Sequence, residues 1–466
     1  MEPDRSAQLG RGNVFGLLVR FSGPAIMGMM AQALYNLIDR VFVGNKLGPN
    51  GIAGISIAFP FMLVMVAFGM LVGVGSTALI SIRLGQKRKA EAERILGNAT
   101  VLLVLFAAAI TAVGMQLINP ILIVLGASDA VLPYARDYLQ IIVLGAVFNI
   151  VGFGLNAMIR GEGNPKIAML SMFVSVVVNA VLAPVFIFGF GWGMKGAALA
   201  TVLAQAATTA WVFLYFLVGS SVLKFHLRNL RLNRRICLGI FAVGAPHCLM
   251  QLGASLQSGI LNNQLQIQGD KVQPGGGDLA IAVWGIIDAV MMTLAMPIFG
   301  LNQGVQPIIG YNYGARQFDR VKKTLETAVL IATAWTIFGF ALTSLFPAQI
   351  VQLFCDEKKA TAAVVALGGH AMRICTLMLP IVGFQIVSAS YFQAVGKAKQ
   401  AALLMLSRQL LILIPAVIAL PYFFGLDGVW AAMPASDLAS SLLTGFCLTL
   451  ELRHLRQSHA VESAAL

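Results

Sequence analysis

Four polar residues recur at helical spacing within the first long apolar segment of the chain. They are Gln32, Tyr35, Asn36 and Asp39, at positions i, i+3, i+4 and i+7, and so they share one face of an α-helix. A carboxylate at the bilayer centre costs roughly 2.5–3.5 kcal/mol on insertion scales, so we expect this face to line a protein interior or a wet cavity. There a carboxyl group can exchange a proton or hold a small cation. Arg40 is a poor partner for Asp39, because adjacent residues on a helix point about 100° apart.

A second acid, Asp288, lies deep in a later apolar segment and has no basic residue near it in the sequence. An acid at this depth indicates a functional site. Met292 follows one turn later, and its flexible thioether suits a site that adapts to varied apolar ligands, although core packing explains a methionine equally well. We predict ion coupling at Asp288 and substrate contacts at Met292, Asn302 and Gln303.

Two further segments carry polar side chains that we assign to the same chemistry. Asn179 and Thr201 are candidates to assist ion coupling, since an amide oxygen can bind a cation or accept a hydrogen bond from a carboxyl group. Gln251 and Ser255 belong to a polar stripe with a step of four residues and are candidates for substrate binding. Hydrogen bonding between helices is the alternative explanation for all four.

One more pair of charges is expected inside the apolar segments. Asp437 lies near Pro434, and we expect it to pair with Arg408 or with Arg373. A paired acid is less costly to bury than an unpaired one.

The composition is that of a membrane protein. Of 466 residues, 58% are hydrophobic and only 11% are charged, and the mean hydropathy is +0.83. Such values indicate a polytopic membrane protein. The net charge of +13 does not indicate a nucleic-acid partner, because the basic residues lie in short loops between apolar runs. The partner in contact with most of the surface is expected to be the lipid bilayer.

Apolar runs long enough to cross a bilayer recur about 12 times. They cover approximately 14–44, 52–82, 95–118, 133–160, 166–189, 194–219, 236–267, 279–310, 321–346, 363–394, 400–420 and 427–452. The predicted fold class is therefore an all-α polytopic membrane protein with 12 transmembrane helices. Its predicted parts are a tail 1–13, a first lobe 14–223, a linker 224–235, a second lobe 236–452 and a tail 453–466.

Lysine and arginine alternate between rich and poor loops. The rich loops are 83–94, 160–166, 224–235, 316–323 and 397–408, together with the C-terminal tail. By the positive-inside rule these loops are cytoplasmic. The alternation predicts an even number of spans and both termini in the cytoplasm. The expected location of the protein is the inner (plasma) membrane of the cell.

The chain contains an internal repeat. Leu84-Gly-Gln-Lys87 follows the second span and Tyr313-Gly-Ala-Arg316 follows the eighth, and each opens a basic amphipathic segment. Gly163-Asn-Pro-Lys166 follows the fourth span and Gly396-Lys-Ala-Lys399 follows the tenth. Matches in register predict two six-helix halves in parallel orientation, with the binding site in the cleft between them.

Known catalytic and nucleotide motifs are absent from the sequence. It has no phosphate-binding loop, no HExxH, no nucleophile elbow and no cluster of metal ligands, so we expect no cofactor, no metal and no enzymatic activity. No loop is long enough to hold a nucleotide-binding domain. A transporter of this kind would draw its energy from an ion gradient.

Several stretches resemble the multidrug and toxic compound extrusion (MATE) family, in its DinF-like and MepA-like branch. They are Gly23-Pro24, Asn36-Leu-Ile-Asp-Arg-Val-Phe-Val-Gly44, Gly161-Glu-Gly-Asn-Pro-Lys166, Gly196-Ala-Ala-Leu-Ala-Thr201, Pro297-Ile-Phe-Gly-Leu-Asn-Gln-Gly304 and Gln306-Pro-Ile-Ile-Gly-Tyr-Asn-Tyr-Gly314. The resemblance covers nearly the whole chain. It implies a two-lobed transporter that exports amphipathic, often cationic drugs against inflow of H⁺ or Na⁺.

The resemblance also implies roles for single residues. Asp39 matches the coupling acid of the first helix, and Asn179 and Thr201 match polar partners on the fifth and sixth helices. Many relatives have an aspartate one turn after that asparagine, where this chain has Ala183. The loss of a hard oxygen ligand weakens a Na⁺ site and favours H⁺. Asp288 is then expected to supply a second acid from the other lobe.

Two other functions remain as alternatives. A lipid-linked precursor flippase of the same superfamily would need cations in its cavity to hold pyrophosphate. A membrane-embedded enzyme or scaffold is the third possibility, but a scaffold does not require intramembrane acids. We therefore predict a drug exporter, expected to be a monomer, with small amphipathic cations as its ligands.

Overall fold

The computed structural model describes the backbone of residues 8–125, 131–219, 221–273, 276–353 and 362–464. Side chains are not described for residues 31–41 and for several others within these ranges. Every regular element in the described part of the chain is helical. This is expected for a chain in lipid, where a helix satisfies all of its backbone polar groups within one segment.

Sixteen α-helices follow one another in the described residues. The first eight are α1 Gln8–Arg11, α2 Val14–Gly85, α3 Lys89–Val124, α4 Leu132–Leu144, α5 Ala146–Gly161, α6 Pro165–Pro184, α7 Gly193–Leu217 and α8 Arg234–Val272. The others are α9 Gly276–Gly314, α10 Phe318–Leu345, α11 Pro347–Leu353, α12 Ala362–Cys375, α13 Leu379–Ala394, α14 Ala398–Leu406, α15 Leu413–Ala419 and α16 Pro421–Ala464. Two π-helical turns, Val185–Gly189 and Ser407–Ile412, extend α6 and join α14 to α15.

Eight of the described helices are long and apolar enough to cross a membrane, and the number rises to ten if each of two bent helix pairs is one span. The protein is therefore a multi-pass membrane protein. The 72 residues of α2 are enough for two spans of about 20 residues each. Residues 45–51, where the sequence pattern predicts a loop, are helical in the backbone. Gly48 and Pro49 are typical of turns, but a helical backbone also accommodates them here.

The internal repeat is visible in the backbone. Lys87 and Arg316, at matching positions, both have φ of 59°. Their amides make matching hydrogen bonds: Lys87 N donates to Leu84 O, and Arg316 N donates to Tyr313 O. Left-handed backbone at a residue other than glycine is uncommon, so its recurrence at the matching position is strong evidence for a structural repeat.

The second repeated turn has the same character. Gly163 and Gly396 both have positive φ, 99° and 79°, a region that glycine occupies without steric cost. The preceding spans are also alike, because α4 and α5 meet at 54° and the pair Val364–Cys375 and Leu379–Ala394 meets at 49°. The bend between helices and the turn that follows it therefore occur once in each half of the internal repeat.

The chain forms two compact units. The first consists of Met1–Gln251, Gln303–Gln317 and Ala394–Gly396, and the second of Leu252–Asn302, Phe318–Gln393 and Lys397–Leu466. In the first unit, glycines bring helices close together: a Cβ atom on Gly75 would lie 2.3 Å from Ile240 O, and one on Gly244 would lie 1.8 Å from Leu71 O. This close approach of α2 and α8 is the packing that small residues permit in membranes. The predicted division at 224–235 stays a prediction.

The second unit has an apolar core of its own. Helices α8, α9, α11, α12, α15 and α16 supply its buried side chains, and Trp430 on α16 is the largest of them at 1% exposed. Its indole packs against Trp284 of α9, with ring centroids 6.5 Å apart. This core forms one wall of the cavity described next.

Candidate functional site

The second unit contains a cavity of about 170 Å³. Three charged residues, Asp288, Arg408 and Asp437, and three polar ones, Gln257, Gln409 and Ser436, border it. The rest of the lining is apolar and consists of Trp284, Met291, Met292, Leu294, Ala295, Ile298, Phe299, Cys375, Leu379, Val382, Ile386, Leu413 and Met433. An apolar pocket with a few convergent polar groups is typical of a small-molecule site.

Helix α9 supplies one wall of the cavity. Trp284, Asp288, Met291, Met292 and Ala295 recur at steps of three and four, so one face of the helix meets the cavity. The structure thereby brings together two predicted site residues, Asp288 and Met292. Both side chains are exposed to the cavity or its surroundings rather than packed into the core.

An ion pair lies at the opposite wall. Arg408 Nε donates to Asp437 Oδ1 at 2.6 Å. The aspartate is buried and the arginine is partly buried. The predicted pairing of Asp437 with Arg408 is confirmed, whereas the alternative partner, Arg373, has an exposed side chain on α12. Removal of either partner would leave an uncompensated buried charge.

The arginine is held by an irregular stretch of helix. Arg408 and Gln409 lie in the π-helical turn Ser407–Ile412, and Ser436 Oγ donates to the Arg408 carbonyl oxygen at 2.5 Å. A π-helical turn accommodates one more residue than an α-helical turn, and such turns are frequent at functional sites. Here the turn places two consecutive polar side chains on the cavity.

The cavity residues belong to a chain whose family can now be stated. A family model described as MatE matches residues 24–185 and 273–418. The chain belongs to the MATE family. Residues of α9 and of the π-helical turn that border the cavity fall inside the second matched range. The predicted family and the predicted fold class, 12 helices in two lobes, are confirmed.

Known proteins similar to this MATE chain include drug exporters. The multidrug export protein MepA of Staphylococcus haemolyticus (strain JCSC1435) is 28% identical over 445 residues, which are 95% of this chain and 95% of that protein. MepA of Staphylococcus aureus (strain NCTC 8325 / PS 47) is 26% identical over 443 residues, 94% of this chain and 95% of that protein.

Two solved structures add the fold. The MATE multidrug transporter DinF-BH, solved in complex with a ligand, is 39% identical with a TM-score of 0.84 and covers 93% of this chain and 95% of its own. A MOP superfamily transporter from Pyrococcus furiosus Vc1 (DSM3638) is 26% identical with a TM-score of 0.89. The match covers 98% of this chain and 100% of that transporter chain. The latter is described as having a binding pocket of reversed polarity that suggests a different function.

In the first unit of this MATE chain, Asn179 and Thr201 are brought together. Asn179 Nδ2 lies 3.5 Å from Thr201 Oγ1, which donates to Ala197 O at 3.1 Å. Both side chains are buried, so the contact joins α6 to α7. Ala183, one turn after Asn179, is also fully buried, and its methyl group offers no oxygen for a cation. The role of Asn179 and Thr201 in ion coupling stays a prediction.

Asn302 and Gln303 lie next to each other on α9. The side-chain carbonyl oxygens Asn302 Oδ1 and Gln303 Oε1 are buried and accept no hydrogen bond from the described residues. Gln303 Nε2 lies 3.4 Å from Met29 Sδ. Two unsatisfied acceptors inside a membrane protein are sites where a ligand or water donor would be stabilised. Their predicted role in substrate binding stays a prediction.

Five predicted site residues lie outside the described side chains. They are Gln32, Tyr35, Asn36, Asp39 and Ser255. Gln251 is described, but it does not border the cavity, whereas Gln257 on the same helix does. A separation of six residues turns the helix by about 600°, so the two glutamines face different directions.

Sequence reasoning did not assign Gln257, Trp284, Gln409 or Ser436 to the site. The helical recurrence around Asp288 was a signal that could have identified Trp284. The other three could not be found in this way, because their positions depend on how α8, α14–α15 and α16 converge.

A second polar cluster lies outside the spans, at the turn after α5. Glu162 is 1% exposed and accepts hydrogen bonds from Tyr215 Oη, from Ser221 Oγ at 2.7 Å and from Leu223 N at 3.3 Å. Burial raises the pKa of Glu162 from 4.5 to about 7, although these hydrogen bonds act in the opposite direction. The carboxyl group fastens the chain after α7 to the end of α5.

Two side chains of α3, Glu93 and Asn98, make hydrogen bonds with the backbone of residues 224–233. Asn98 Nδ2 donates to Asn229 O and to Arg231 O, both at 3.2 Å, and Asn98 Oδ1 accepts from Asn233 N at 2.6 Å. Glu93 accepts from Lys224 N at 3.3 Å. Buried polar side chains of α3 and of the turn after α5 therefore hold residues 221–233 in place by hydrogen bonds.

Proposed function

We propose that this protein is a multidrug efflux antiporter that exports amphipathic cations in exchange for H⁺ by alternating access. The observation that carries the proposal is the cavity of the second unit, in which Asp288 faces a largely apolar lining. Membership of the MATE family and the likeness to exporters named MepA support it.

The cavity suits an organic cation. Asp288, Asp437 and Arg408 give the lining a net charge of −1 when all are ionised. Trp284 contributes an aromatic ring to the lining, a group that attracts organic cations, and Met291 and Met292 adapt to apolar groups of different shape. Charge complementarity with an adaptable apolar wall explains how one site accepts several drugs.

Two acids carry the proposed ion coupling. Asp39 is the coupling residue of the first helix, with Asn179 and Thr201 as its polar partners, and Asp288 is a second acid. Protonation neutralises a carboxylate and removes its attraction for a cationic drug, so proton and drug compete for the same groups. Ala183 in place of an aspartate supports H⁺ over Na⁺.

A lipid-linked precursor flippase is the alternative within the superfamily. Its pyrophosphate would require unpaired cations in the cavity. Arg408 is the only cation among the described cavity residues, and it is paired with Asp437. The balance of charge in this cavity therefore favours a cationic ligand.

The test is export of a fluorescent cationic dye from cells that lack other drug exporters, with the proton and sodium gradients varied separately. We expect wild type to export the dye only with a proton gradient, Asp39→Asn to abolish export, and Asp288→Asn to lower its rate at least about tenfold, the loss of one charge-assisted contact. Asp427→Asn is the control, because Asp427 is an exposed acid that pairs with His370 at 3.0 Å and does not border the cavity.

Export driven by sodium alone would refute proton coupling. An Asp288→Asn variant with normal export and normal pH dependence would refute the role of the second acid. Absence of dye export by wild type under both gradients would favour the flippase.

A further inference from the structure

The linker 224–235 joins two membrane spans and carries a dense positive charge. It lies between α7, which ends at Leu217, and the first turn of α8, and both of these helices are long and apolar enough to cross a membrane. Its twelve residues include lysine and arginine but no aspartate or glutamate. Four of the basic residues are exposed arginines: Arg228, Arg231, Arg234 and Arg235.

Other basic loops balance part of their charge with acids, at distances of 2.5 to 3.6 Å. These ion pairs join Arg83 to Glu91, Lys322 to Glu326 and Lys397 to Glu451. Within the described part of the chain, none of the four linker arginines forms an ion pair. Glu93 of α3 lies beside the linker, but it pairs with Lys89 and with His226. The positive-inside rule explains why all of these loops are basic, but not why the arginines of this one lack acidic partners.

Two of the arginines occupy an unfavourable position on their helix. Arg234 and Arg235 lie in the first turn of α8, which contains no acid. The helix dipole is positive there, so anions are stabilising and cations are not. The N–H groups of Arg235 and Ile236 already donate to Asn233 Oδ1, at 2.9 and 3.4 Å. It is therefore the charge of the side chains, and not the backbone, that lacks a counter-ion.

The backbone that presents the arginines is held in place by the protein. Three hydrogen bonds join it to the side chain of Asn98 on α3. Phe225 packs against the rings of Phe213 and Phe216 on α7, with centroids 5.9 and 5.6 Å apart. A ligand that binds the arginines therefore loses little of its binding free energy to ordering the linker.

Apolar side chains beside the arginines indicate what kind of anion this surface fits. Val218, Leu232 and Leu238 are exposed although they are apolar. They lie at and between the ends of two spans, and so next to the surface of the bilayer. A free phosphate would satisfy the arginines alone, whereas a phospholipid would also cover these side chains with its acyl chains.

We propose that the linker 224–235 is a binding site for an anionic phospholipid. A guanidinium group donates two parallel hydrogen bonds to a phosphate, so arginine suits this ligand better than lysine. Basic clusters of about four to eight residues next to a membrane span attract anionic lipids. The site is distinct from the drug cavity, because no residue of the linker borders that cavity. The inference does not depend on the proposed export function.

Native mass spectrometry of the purified full-length protein tests the proposal, because it counts bound lipids and gives a Kd for each. The probes are dioleoylphosphatidylglycerol, which is anionic, and dioleoylphosphatidylcholine, which has the same acyl chains and no net charge. We expect wild type to bind the first phosphatidylglycerol at least about tenfold more tightly than the first phosphatidylcholine. Glycerophosphoglycerol, the same anionic headgroup without acyl chains, should not bind.

The decisive variant is the double substitution Arg228→Gln with Arg231→Gln. Both side chains are exposed and form no ion pair with a described residue, so the fold should be kept. We expect the preference for phosphatidylglycerol to fall about tenfold or more, since each arginine near an anionic lipid surface contributes about 1 kcal/mol.

Two further variants separate a built site from general attraction between charges. Lys322→Gln with Lys323→Gln removes the same charge from another basic loop, in which Lys322 already has an acidic partner, and should leave the preference within about twofold of wild type. Asn98→Ala keeps every charge but releases the backbone of the linker. It should weaken phosphatidylglycerol binding about threefold, because the arginines are then less well ordered.

Each contrary outcome overturns the site. Equal affinity of wild type for the two lipids would show that the anionic headgroup is not recognised, and tight binding of glycerophosphoglycerol would show a site for a soluble phosphodiester. An unchanged preference in the arginine variant, or an equal loss in the lysine variant, would leave only general attraction between charges. Asn98→Ala with the affinity of wild type would show that the linker is not a preorganised site. Drug export is tested separately, by movement of the dye.

Discussion

Buried carboxyl groups in this protein are stabilised in two ways. Asp437 is paired with the guanidinium group of Arg408, whereas Glu162 is buried and accepts hydrogen bonds from uncharged donors. The charge of a paired acid is balanced by its partner, which lowers the free-energy cost of its burial. An acid held by neutral donors instead titrates near the pH of the cytoplasm, and its effect on stability therefore depends on pH.

Glu162→Gln is predicted to remove a pH dependence of stability. The pKa of about 7 in the folded protein exceeds the ordinary 4.5, so the folded state binds the proton more tightly than the unfolded state. The stabilisation is complete below pH 4.5 and is lost as the pH rises through 7. In detergent, the Tm of wild type minus that of the variant should fall by about 3 °C between pH 5 and pH 8.

Glu326→Gln is the control for this measurement. Glu326 is 62% exposed and pairs with Lys322 four residues away at 3.6 Å on α10. Such a surface pair contributes little, so its substitution should leave the pH profile of Tm unchanged. A profile for Glu162→Gln that runs parallel to that of wild type would show that Glu162 does not titrate in this range.

At the scale of single residues, sequence reasoning located acids better than it located neutral partners. Asp288 and the pairing of Asp437 with an arginine were expected, because a charged side chain inside an apolar run is costly to insert into a membrane. Such a side chain therefore indicates either a functional site or an oppositely charged partner. Glutamine and serine carry no such cost, and so Gln257, Gln409 and Ser436 do not differ in sequence from residues that only join helices.

At the scale of the helix, glycines decide where backbones meet. Gly75 on α2 is in contact distance of α8, and a Cβ atom there would lie 2.3 Å from Ile240 O. Gly16 on the same helix has nothing within 4 Å of the position of its missing Cβ atom. The two positions therefore separate the effect of packing from that of helix propensity.

Gly75→Ala is predicted to destabilise the protein, and Gly16→Ala is not. Overpacking of a close contact typically costs about 1–3 kcal/mol, whereas alanine in an open helical position favours the helix by about 0.5–1 kcal/mol. Thermal unfolding in detergent should show a lower Tm for Gly75→Ala and an equal or higher Tm for Gly16→Ala. Equal Tm values for the two variants would mean that α2 and α8 separate without cost at this point.

Hydropathy predicted the helices because a bilayer leaves the chain few alternatives. The repeat also followed from sequence, since Lys87 and Arg316 mark turns with the same φ. The π-helical turn at Ser407–Ile412 was not predicted. A run of apolar residues is compatible with both α-helical and π-helical hydrogen bonds, so the sequence does not distinguish them. The continuous helical backbone at residues 45–51 was missed for the opposite reason: glycine and proline favour turns but do not require them.

At the scale of the whole molecule, the segment 221–233 allows the orientation of the protein in the membrane to be tested. It contains Arg228 and Arg231, and Asn98 holds its backbone at three points. The positive-inside rule predicts that this segment faces the cytoplasm. A protease that cuts after arginine therefore reports both the side of the membrane and the strength of the anchoring.

Trypsin is predicted to cut between residues 228 and 235 in inside-out vesicles and not in intact cells. Asn98→Ala should speed this cleavage several-fold, since the loss of the side chain leaves Asn229 O, Arg231 O and Asn233 N without their partner and favours local opening. Thr327→Ala is the control, because the described hydrogen bond of the Thr327 side chain lies within its own helix, to Lys323 O at 2.7 Å, and the residue is only partly buried. Cleavage in intact cells would reverse the predicted orientation, whereas equal rates for Asn98→Ala and wild type would show that cleavage does not depend on this anchor.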